Sequence, residues 1–446
     1  MGEIEEMRLR VAQLEKENLE LKKENAELKS ILLEQQKKIL ELERRLAAYE
    51  NAHTPPSQSR YPQRKKGEGS GRVGRPPGHE GSTRPTPEPD ETIDVTLQQC
   101  PSCKKLLGKP IRFESRIIEE IPEPQPIKVT EYRLAHYRCR NCGSHVVASH
   151  PDCPKEGRFG INTLTHVTML KYYGRMPHRR IAELLESQFK LRVVPATILD
   201  ATRRVADALR KEYDKLLARV RKSTWVHVDE TSIKVDGMQW WSWAFVTKDD
   251  TLTAVRRSRG KKVLDEVLGK DYGGTLISDG YRIYSNFTQN RQRCWAHLLR
   301  EAERLAENFG EAVPFHKALL RLYRKLTGAI EMKPPPEERE RLFRNACNSL
   351  GYWLRKQWKE KKVVNLVENL RADLKKFLTF VLAEGIAPTN NAAERALREH
   401  VVIRKIIGTL RNEKGTRIHE TALSLIATWR QRGLNPHVQL STALRS

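Results

Sequence analysis

Between Thr224 and Gly280 the hydrophobic period of the chain switches from helical to strand-like. STWVHVDETSIKV, QWWSWAFVT and TLTAVRRS read as three strands, KKVLDEVLG as a helix and TLISDG as a fourth strand. That order restricts this part of the chain to an α/β core. Asp229 follows the apolar start of the first run and Asp279 ends the fourth. Each carboxylate is therefore expected at or just past a strand end, where a core holds it and a cleft exposes it. A third acid, Glu394 in TNNAAERALREHVVIRK, lies on a predicted helix. Carboxylates are the hard ligands that Mg²⁺ prefers. Two divalent ions roughly 4 Å apart activate the attacking oxygen and stabilise the leaving one in a phosphodiester displacement. Three acids are a minimal set for such a cage. In a chain with 56 acidic residues some must follow strands by chance, so the neighbours of these three decide their meaning.

The charge balance is the first neighbour. Lys and Arg number 81 against those 56 acids, giving a net charge of +25 and a pI near 9.8. Such an excess is an electrostatic footprint suited to a polyanion, with nucleic acid the leading partner. A membrane surface would also attract it, but no apolar run approaches the roughly 20 residues of a bilayer span and the N-terminus is charged. A soluble, cytoplasmic protein is expected. The odd total of seven cysteines fits a reducing compartment better than a disulfide scaffold.

Residues 1–50 read as heptads. Met7, Leu14, Leu21, Leu28 and Leu42 fall at one core position, interrupted by Gln35. Ile4, Val11, Leu32, Ile39 and Leu46 fall at the other, with Asn18 and Asn25. A buried Asn pairs with its symmetry mate and disfavours other registers, so a parallel two-stranded coiled coil and a homodimer are expected. Residues 51–92 (TPPSQSRYPQRKKGEGSGRVGRPPGHEG) have almost no aliphatic content and read as a flexible basic linker. Within it RVGRPPGHEG is equally compatible with a basic hook that follows a narrow minor groove.

Residues 93–155 contain Cys100-Pro-Ser-Cys103 and Cys139-Arg-Asn-Cys142. Two tight turns that each aim a pair of thiolates at one ion complete a tetrahedral structural Zn²⁺ site. The intervening FESRIIEEIPEPQPIKVTEYRLAHYRC alternates like a hairpin and suits a zinc ribbon-like finger. His136, His145, His150 and Cys153 lie near enough to replace a ligand. Residues 156–222 turn helical, and MPHRRIAELLESQFKLRVVPATILDATRRVADALRKEY reads as a helix, a turn and a second helix starting at Pro195 to Thr197. This helix-turn-helix-like unit would place Thr197, Asp200 or Arg203 near base edges and keep Arg203 and Arg204 on its exposed side. Packing alone is the competing reading.

Order and motifs together carry a resemblance. Three strands, a helix and a fourth strand, with acids on the first and fourth, match a ribonuclease-H-like core. DET at Asp229, SDGYRIY at Asp279, CWAHLLRE from Cys294, TNNAAERALR around Glu394, the linker GRPPGHEG and the ending GLNPHVQL resemble the signature blocks of the DDE transposases of the insertion-sequence sixty-six (IS66-type) family. The resemblance covers nearly the whole chain. It implies that Asp229, Asp279 and Glu394 hold Mg²⁺ (or Mn²⁺), that water nicks the ends of the element and that the freed 3′-hydroxyl attacks target DNA. It further implies double-stranded DNA partners (terminal repeats and target), accessory proteins encoded beside the element in many relatives, and a prokaryotic, nucleoid-associated setting.

The first part of that core is expected over 223–305 and a helical insertion over 306–386, since 115 positions separate Asp279 from Glu394. Residues 387–446 return to the core. Around Glu394, Arg395 and Arg398 would flank the cleft, and Arg404, Lys405, Arg411, Lys414 and Arg417 would continue a basic track for phosphates. Asn390 and Asn391 read as helix-capping and positioning residues. His297 could orient substrate or be structural. Trp240, Trp241 and Trp243 read as sheet packing. Glu384, Glu399 and Glu413 lie close enough in sequence to compete with Glu394.

The alternative is a zinc-bearing, dimeric DNA-binding regulator without nuclease activity. Three carboxylates held against a polyanion are what such a binder has no use for. The coiled coil carries its own test: the chain should sediment at micromolar concentration as a dimer or larger, and a monomer would refute the heptad reading.

Overall fold

The computed structural model describes residues 2–46, 87–154 and 156–445, with only part of the side chains of the first helix. That helix, α1 (Gly2–Leu46), is one uninterrupted rod of 45 residues, roughly 68 Å long at 1.5 Å per residue. Of the heptad positions whose side chains are described, Leu21, Leu28, Leu32 and Ile39 are 56–63 % exposed, so the seam is uncovered within the chain. Asn25 spends its amide on the Leu21 carbonyl at 3.0 Å. The side chains of Asn18, Met7 and Leu14 and most of the linker, RVGRPPGHEG included, lie outside what is described.

The two Cys-x-x-Cys turns follow, and the structure corrects where their strands lie. The stretch from Phe113 to Ala135 has no regular structure. The hairpin straddles the second turn instead, with β1 (His136–Arg138) antiparallel to β2 (His145–Val147), while a single Gln99–Leu106 bridge straddles the first. Each turn supplies its own closing hydrogen bonds, so no long hairpin is needed to shape it.

Helices α2 (Ile161–Thr168), α3 (His178–Phe189), α4 (Pro195–Ala208) and α5 (Arg210–Arg221) come next. Pro195 opens α4, where its missing N–H is no loss. These helices share one hydrophobic core with the sheet: Ile181, Ile198, Val205 and Leu216 join Val226, Val228, Trp243 and Leu276 in a single cluster.

The sheet contains β3 (Trp225–Val235), β4 (Met238–Val246), β5 (Thr251–Arg256), β6 (Thr275–Ser278) and β7 (Arg291–Arg293), with α6 (Lys261–Val267) between β5 and β6 and α7 (Arg282–Phe287) between β6 and β7. Its order is β5-β4-β3-β6-β7. The first three strands meander antiparallel, and β6 and β7 add in parallel. The strand order expected from sequence is present. The fifth strand, Arg291–Arg293, gave no periodic signal because three residues are too short to show one.

After β7 come α8 (Trp295–Asn308), α9 (Val313–Glu331), α10 (Pro336–Arg355), α11 (Lys361–Ala372), α12 (Leu374–Phe377) and α13 (Thr379–Leu382). They form a second core around Trp295, Phe315, Leu319, Leu350, Val363 and Phe380, which reaches the sheet through Ile277. Trp295 is fully buried and donates to the Phe377 carbonyl at 2.6 Å, a packing role. The chain ends with α14 (Asn391–Ile407), α15 (Glu413–Gln431) and α16 (Pro436–Arg445).

Both sheet edges are sealed by side chains. Along β5 the backbone N–H groups of Thr251, Thr253 and Val255 donate to Thr428, Ser424 and Glu420 of α15 at 3.0, 2.8 and 2.8 Å. Four helical residues rise about 6.0 Å and two strand residues about 6.6–6.8 Å, so polar residues every fourth position on α15 keep step with every second position on β5. At β7 the Thr379 hydroxyl donates to the Arg291 carbonyl and the Gln292 amide to the Arg293 carbonyl, both at 2.6 Å, while Gln292 also accepts from Phe380 N–H at 2.7 Å. Neither edge is left to recruit another strand. No helix among the described residues is long and apolar enough to cross a membrane.

Candidate active site

Strand alternation sorts β3 residues between the two cores. Val226 and Val228 face the cluster shared with α2–α5, while Trp225 packs on the α8–α13 side. Asp229 has the parity of Trp225. The last parallel pair is His227 with Ile277, and two residues further along the same register Asp229 and Asp279 come level, on strands about 4.8 Å apart. Asp229 stands in the middle of the eleven-residue β3 rather than at its end. What ends there is the pairing with β6, whose last residue is Ser278. A strand that outruns its neighbour exposes a carboxylate as a strand terminus does.

Helix α14 lies across this same face, fastened at both ends. Asn390 is fully buried. It donates from Nδ2 to the Val228 carbonyl at 2.9 Å, its Oδ1 lies 3.2 Å from His227 Nδ1, and its own N–H donates to Cys294 Sγ at 3.1 Å. The expected capping role is corrected: the Asn390 side chain makes no helix-cap bond and ties helix to strand instead. Asn391 is the exposed first residue of α14. At the far end Arg404 donates to the Ser232 carbonyl and to Thr231 Oγ1 at 3.1 Å. Its place in a phosphate track is corrected too, because the guanidinium is taken up by β3. Between these fasteners His400 meets Ser242 Oγ at 2.8 Å. Glu394, in the first turn, is thereby brought to Asp229.

Proximity is written in the acidity of Asp229. Burial pushes its carboxyl well above the usual carboxylate range, and the charges of Glu230, Asp279 and Glu394 push it further. Among the rival glutamates, Glu399 is held by Arg175 through two bonds of 2.8 Å, Glu413 pairs with Arg257 at 3.2 Å and Glu384 is exposed. Glu394 alone of the four acts on Asp229. The three carboxylates are not a single-ion cluster, however. Among the described residues the one group with all ligand atoms within 4.8 Å of one another is Cys294, His297 and Glu394. His297 Nδ1 is 3.8 Å and Arg300 Nη2 4.0 Å from the Glu394 carboxylate, so His297 belongs to the site. Mutually repelling carboxylates, with the Asp229 carboxyl raised by burial and by its acidic neighbours, suit divalent cations of the hard, oxygen-seeking kind.

The supporting residues mostly escaped sequence reasoning. Glu230 points to the opposite face, its side chain 1 % exposed and paired with Arg259 at 2.7 Å, with the Tyr284 hydroxyl donating to it. Burial raises its pKa as well. Asp279 accepts from Tyr281 N–H at 2.8 Å, and buried Arg291 donates to the Asp279 carbonyl at 2.9 Å from behind. Cys294 could have been found, since Cys-x-x-His at a helix start is a ligand spacing. Nothing local marks Glu230 or Arg291.

The predicted DNA-contacting arginines divide. Arg395, Arg398, Lys405 and Arg411 are exposed, as are Lys414 and Arg417. Arg203 is bound to Asp200 and Asp207 at 2.8 Å each. Arg204 is not on the exposed side: its side chain is 10 % exposed and donates to the Glu156 carbonyl, because α4 packs that flank against the chain entering α2.

The cysteine turns are alike residue for residue. Cys100 N–H donates to Lys105 O at 2.9 Å, Lys104 N–H to Cys100 O at 2.9 Å, Cys139 N–H to Ser144 O at 2.8 Å and Gly143 N–H to Cys139 O at 2.9 Å. The fourth residue after each first cysteine, Lys104 or Gly143, has φ near +60° to +70°. The Ser144 hydroxyl, 3.2 Å from the sulfur, leads in lowering Cys142 to about 7, and backbone N–H groups of Cys103 and Ser102 lower Cys100. The two pairs do not converge into one four-sulfur group. Around them Ile93, Val95, Ile111, Ile121 and Val129 are 72–103 % exposed, so no apolar core pulls the turns together. Paired, acidified thiols in a segment without a core fit a metal-organised module.

Two family models match the chain. One, described as Transposase IS66 family, covers residues 156–418, more than half of the sequence, and the other, the zinc-finger binding domain of transposase IS66, covers 98–143. The search of curated proteins finds no match.

The fastening of α14 is testable by itself. Asn390→Ala leaves a buried carbonyl and imidazole without their partner and should lower stability by about 1–3 kcal/mol. An unchanged midpoint in denaturant unfolding would show that the contact carries no weight.

Proposed function

Since the chain belongs to the IS66 transposase family, we propose that it cleaves and joins DNA strands with Asp229, Asp279 and Glu394 as the ligands of its divalent ions. The observation that carries this reading is the meeting of three distant acids on one sheet face, where burial raises the Asp229 carboxyl and the charges of Glu230, Asp279 and Glu394 raise it further. Perturbed carboxyls cluster where charge is used. The sheet order β5-β4-β3-β6-β7, antiparallel then parallel, supports a ribonuclease-H-like core.

Mg²⁺ or Mn²⁺ bound there would activate the attacking oxygen and stabilise the leaving one. The chain's own residues supply rigidity and placement. Tyr281 N–H and Arg291 hold the Asp279 turn. Asn390 fixes the start of α14, and with it Glu394, relative to β3. His297, beside Glu394, is placed to orient a substrate oxygen. On the helix surface Arg398 and Lys405 lie within about 40° of the Glu394 direction at 100° per residue, so a phosphate backbone leaving the acids meets cations on the same stripe. Helices α3 and α4 suit a helix-turn-helix whose reading residues are not Arg203 or Arg204. The uncovered seam of α1 supports a parallel coiled-coil dimer, which would hold two DNA ends in one assembly.

Two experiments test these parts. Asp279→Asn should abolish strand cleavage on a duplex carrying the element's end while leaving binding intact. Cleavage that survives in this variant removes the acid assignment, and binding without cleavage by the unaltered chain would favour the regulator. For the finger, one zinc per chain is expected, with loss of that zinc in Cys103→Ser and in Cys142→Ser. Content well below one, or undiminished in both variants, rejects the four-cysteine site.

A further inference from the structure

A groove of about 1140 Å³ opens between α4 and α5, the β5–α6 connection, α6 and the first turns of α15. It is larger than the roughly 300–1,000 Å³ typical of small-molecule sites. Its floor is apolar, including Tyr213, Leu217, Trp240 and Val263, and its rim is basic. The rim acids are already engaged: Asp207 by Arg203 at 2.8 Å, Glu266 by Arg256 at 2.7 Å and Glu413 by Arg257 at 3.2 Å. Among the described residues no acid lies within ion-pair distance of Lys262, Lys414 or Arg417. Arg257, two-thirds exposed despite its acid, stacks over Trp240 at 5.1 Å. The rim therefore keeps a positive excess in fixed positions, and the α15 N-terminus adds its partial charge.

Two segments of chain lead from the groove toward the strand that carries Asp229. Arg257 stands two residues before Arg259, which grips Glu230 beside Asp229. Lys414 and Arg417 follow exposed Lys405 and Arg411, and Leu410 between them is bridged to Val235 at the end of β3. From Glu394 to Lys405 is roughly 16 Å along α14, about five base-pair rises of B-DNA.

We infer that this groove binds the sugar–phosphate backbone of duplex DNA flanking the cleavage point, with Arg257, Lys262, Lys414 and Arg417 as its phosphate contacts. The location relative to cleavage rests on the nuclease reading, whereas the binding does not. Phosphates suit the rim cations, and the apolar floor suits deoxyribose. An ordinary solvated basic face would not enclose a volume of this size between four elements.

The test is the salt dependence of binding. The full-length, zinc-loaded chain is titrated by fluorescence anisotropy against a labelled duplex of about 30 base pairs, and log K is plotted against log salt concentration. Each phosphate contact contributes about 0.9 to the slope. In the variant with Arg257→Gln, Lys262→Gln, Lys414→Gln and Arg417→Gln the slope should fall by about 3 to 4, with affinity lowered at least tenfold near 150 mM salt. An unchanged slope overturns the proposal. Should the combined variant melt early, each single substitution is expected to lower the slope by about 0.9, and four unaltered slopes are equally fatal. Asp279→Asn keeps the full slope. A slope lost in the groove variant while the unaltered chain fails to cleave upholds the groove and removes the nuclease reading. Cleavage with an unaffected slope does the reverse.

Discussion

Carboxyl groups brought beside one another in a half-buried cleft repel, and the rest of the fold is arranged to hold them there. Burial and three neighbouring acids already drive Asp229 toward its protonated form, so nothing in the cluster itself favours its assembly. The restraint comes from groups that do not neutralise it. Asn390 grips the Val228 carbonyl, Arg404 grips β3 further along, and Arg291 reaches the Asp279 carbonyl rather than its carboxylate. Arg259 answers Glu230 on the opposite face. Apart from Arg300 at 4.0 Å from the Glu394 carboxylate, these restraints hold the acids without pairing their charge, which suits a cation site.

The same economy of support explains why so much of the chain is helical. A five-stranded sheet has two open edges, and each is closed by side chains instead of by more strands. Glu420, Ser424 and Thr428 of α15 serve as acceptors for β5, and the α12–α13 turn embraces β7 through Gln292. The helical segment between Asp279 and Glu394 is therefore more than an inserted module. It brings a second core against Ile277, seals the β7 edge and returns the chain at Asn390 with the orientation that Glu394 needs.

How much of this could be read from the sequence depended on whether the cause was local. Strand alternation around Asp229, the Pro195 helix start, the crossover before Asp279 and the two Cys-x-x-Cys turns are set by residues within a few positions of one another, and each is found where the sequence put it. The long hairpin between the cysteines is not, since alternating residues form strands only where a partner and an apolar face exist, and Ile111, Ile121 and Val129 have neither. Arg204 and Arg404 looked like phosphate ligands by charge and spacing. Burial against Glu156 and Ser232 reassigned them, and no local pattern carries that information.

By itself the sequence determined the element types, the basic excess, the heptad seam and the candidate acids, because propensity, period and charge are properties of short windows. The tertiary structure alone decided which glutamate joins Asp229 and Asp279, that Asn390 fastens a helix where a cap was expected, and that Arg257 and Arg417 face one groove. Those outcomes depend on residues more than a hundred positions apart being held within a few ångströms, and only the packing of the two cores against one sheet sets such distances.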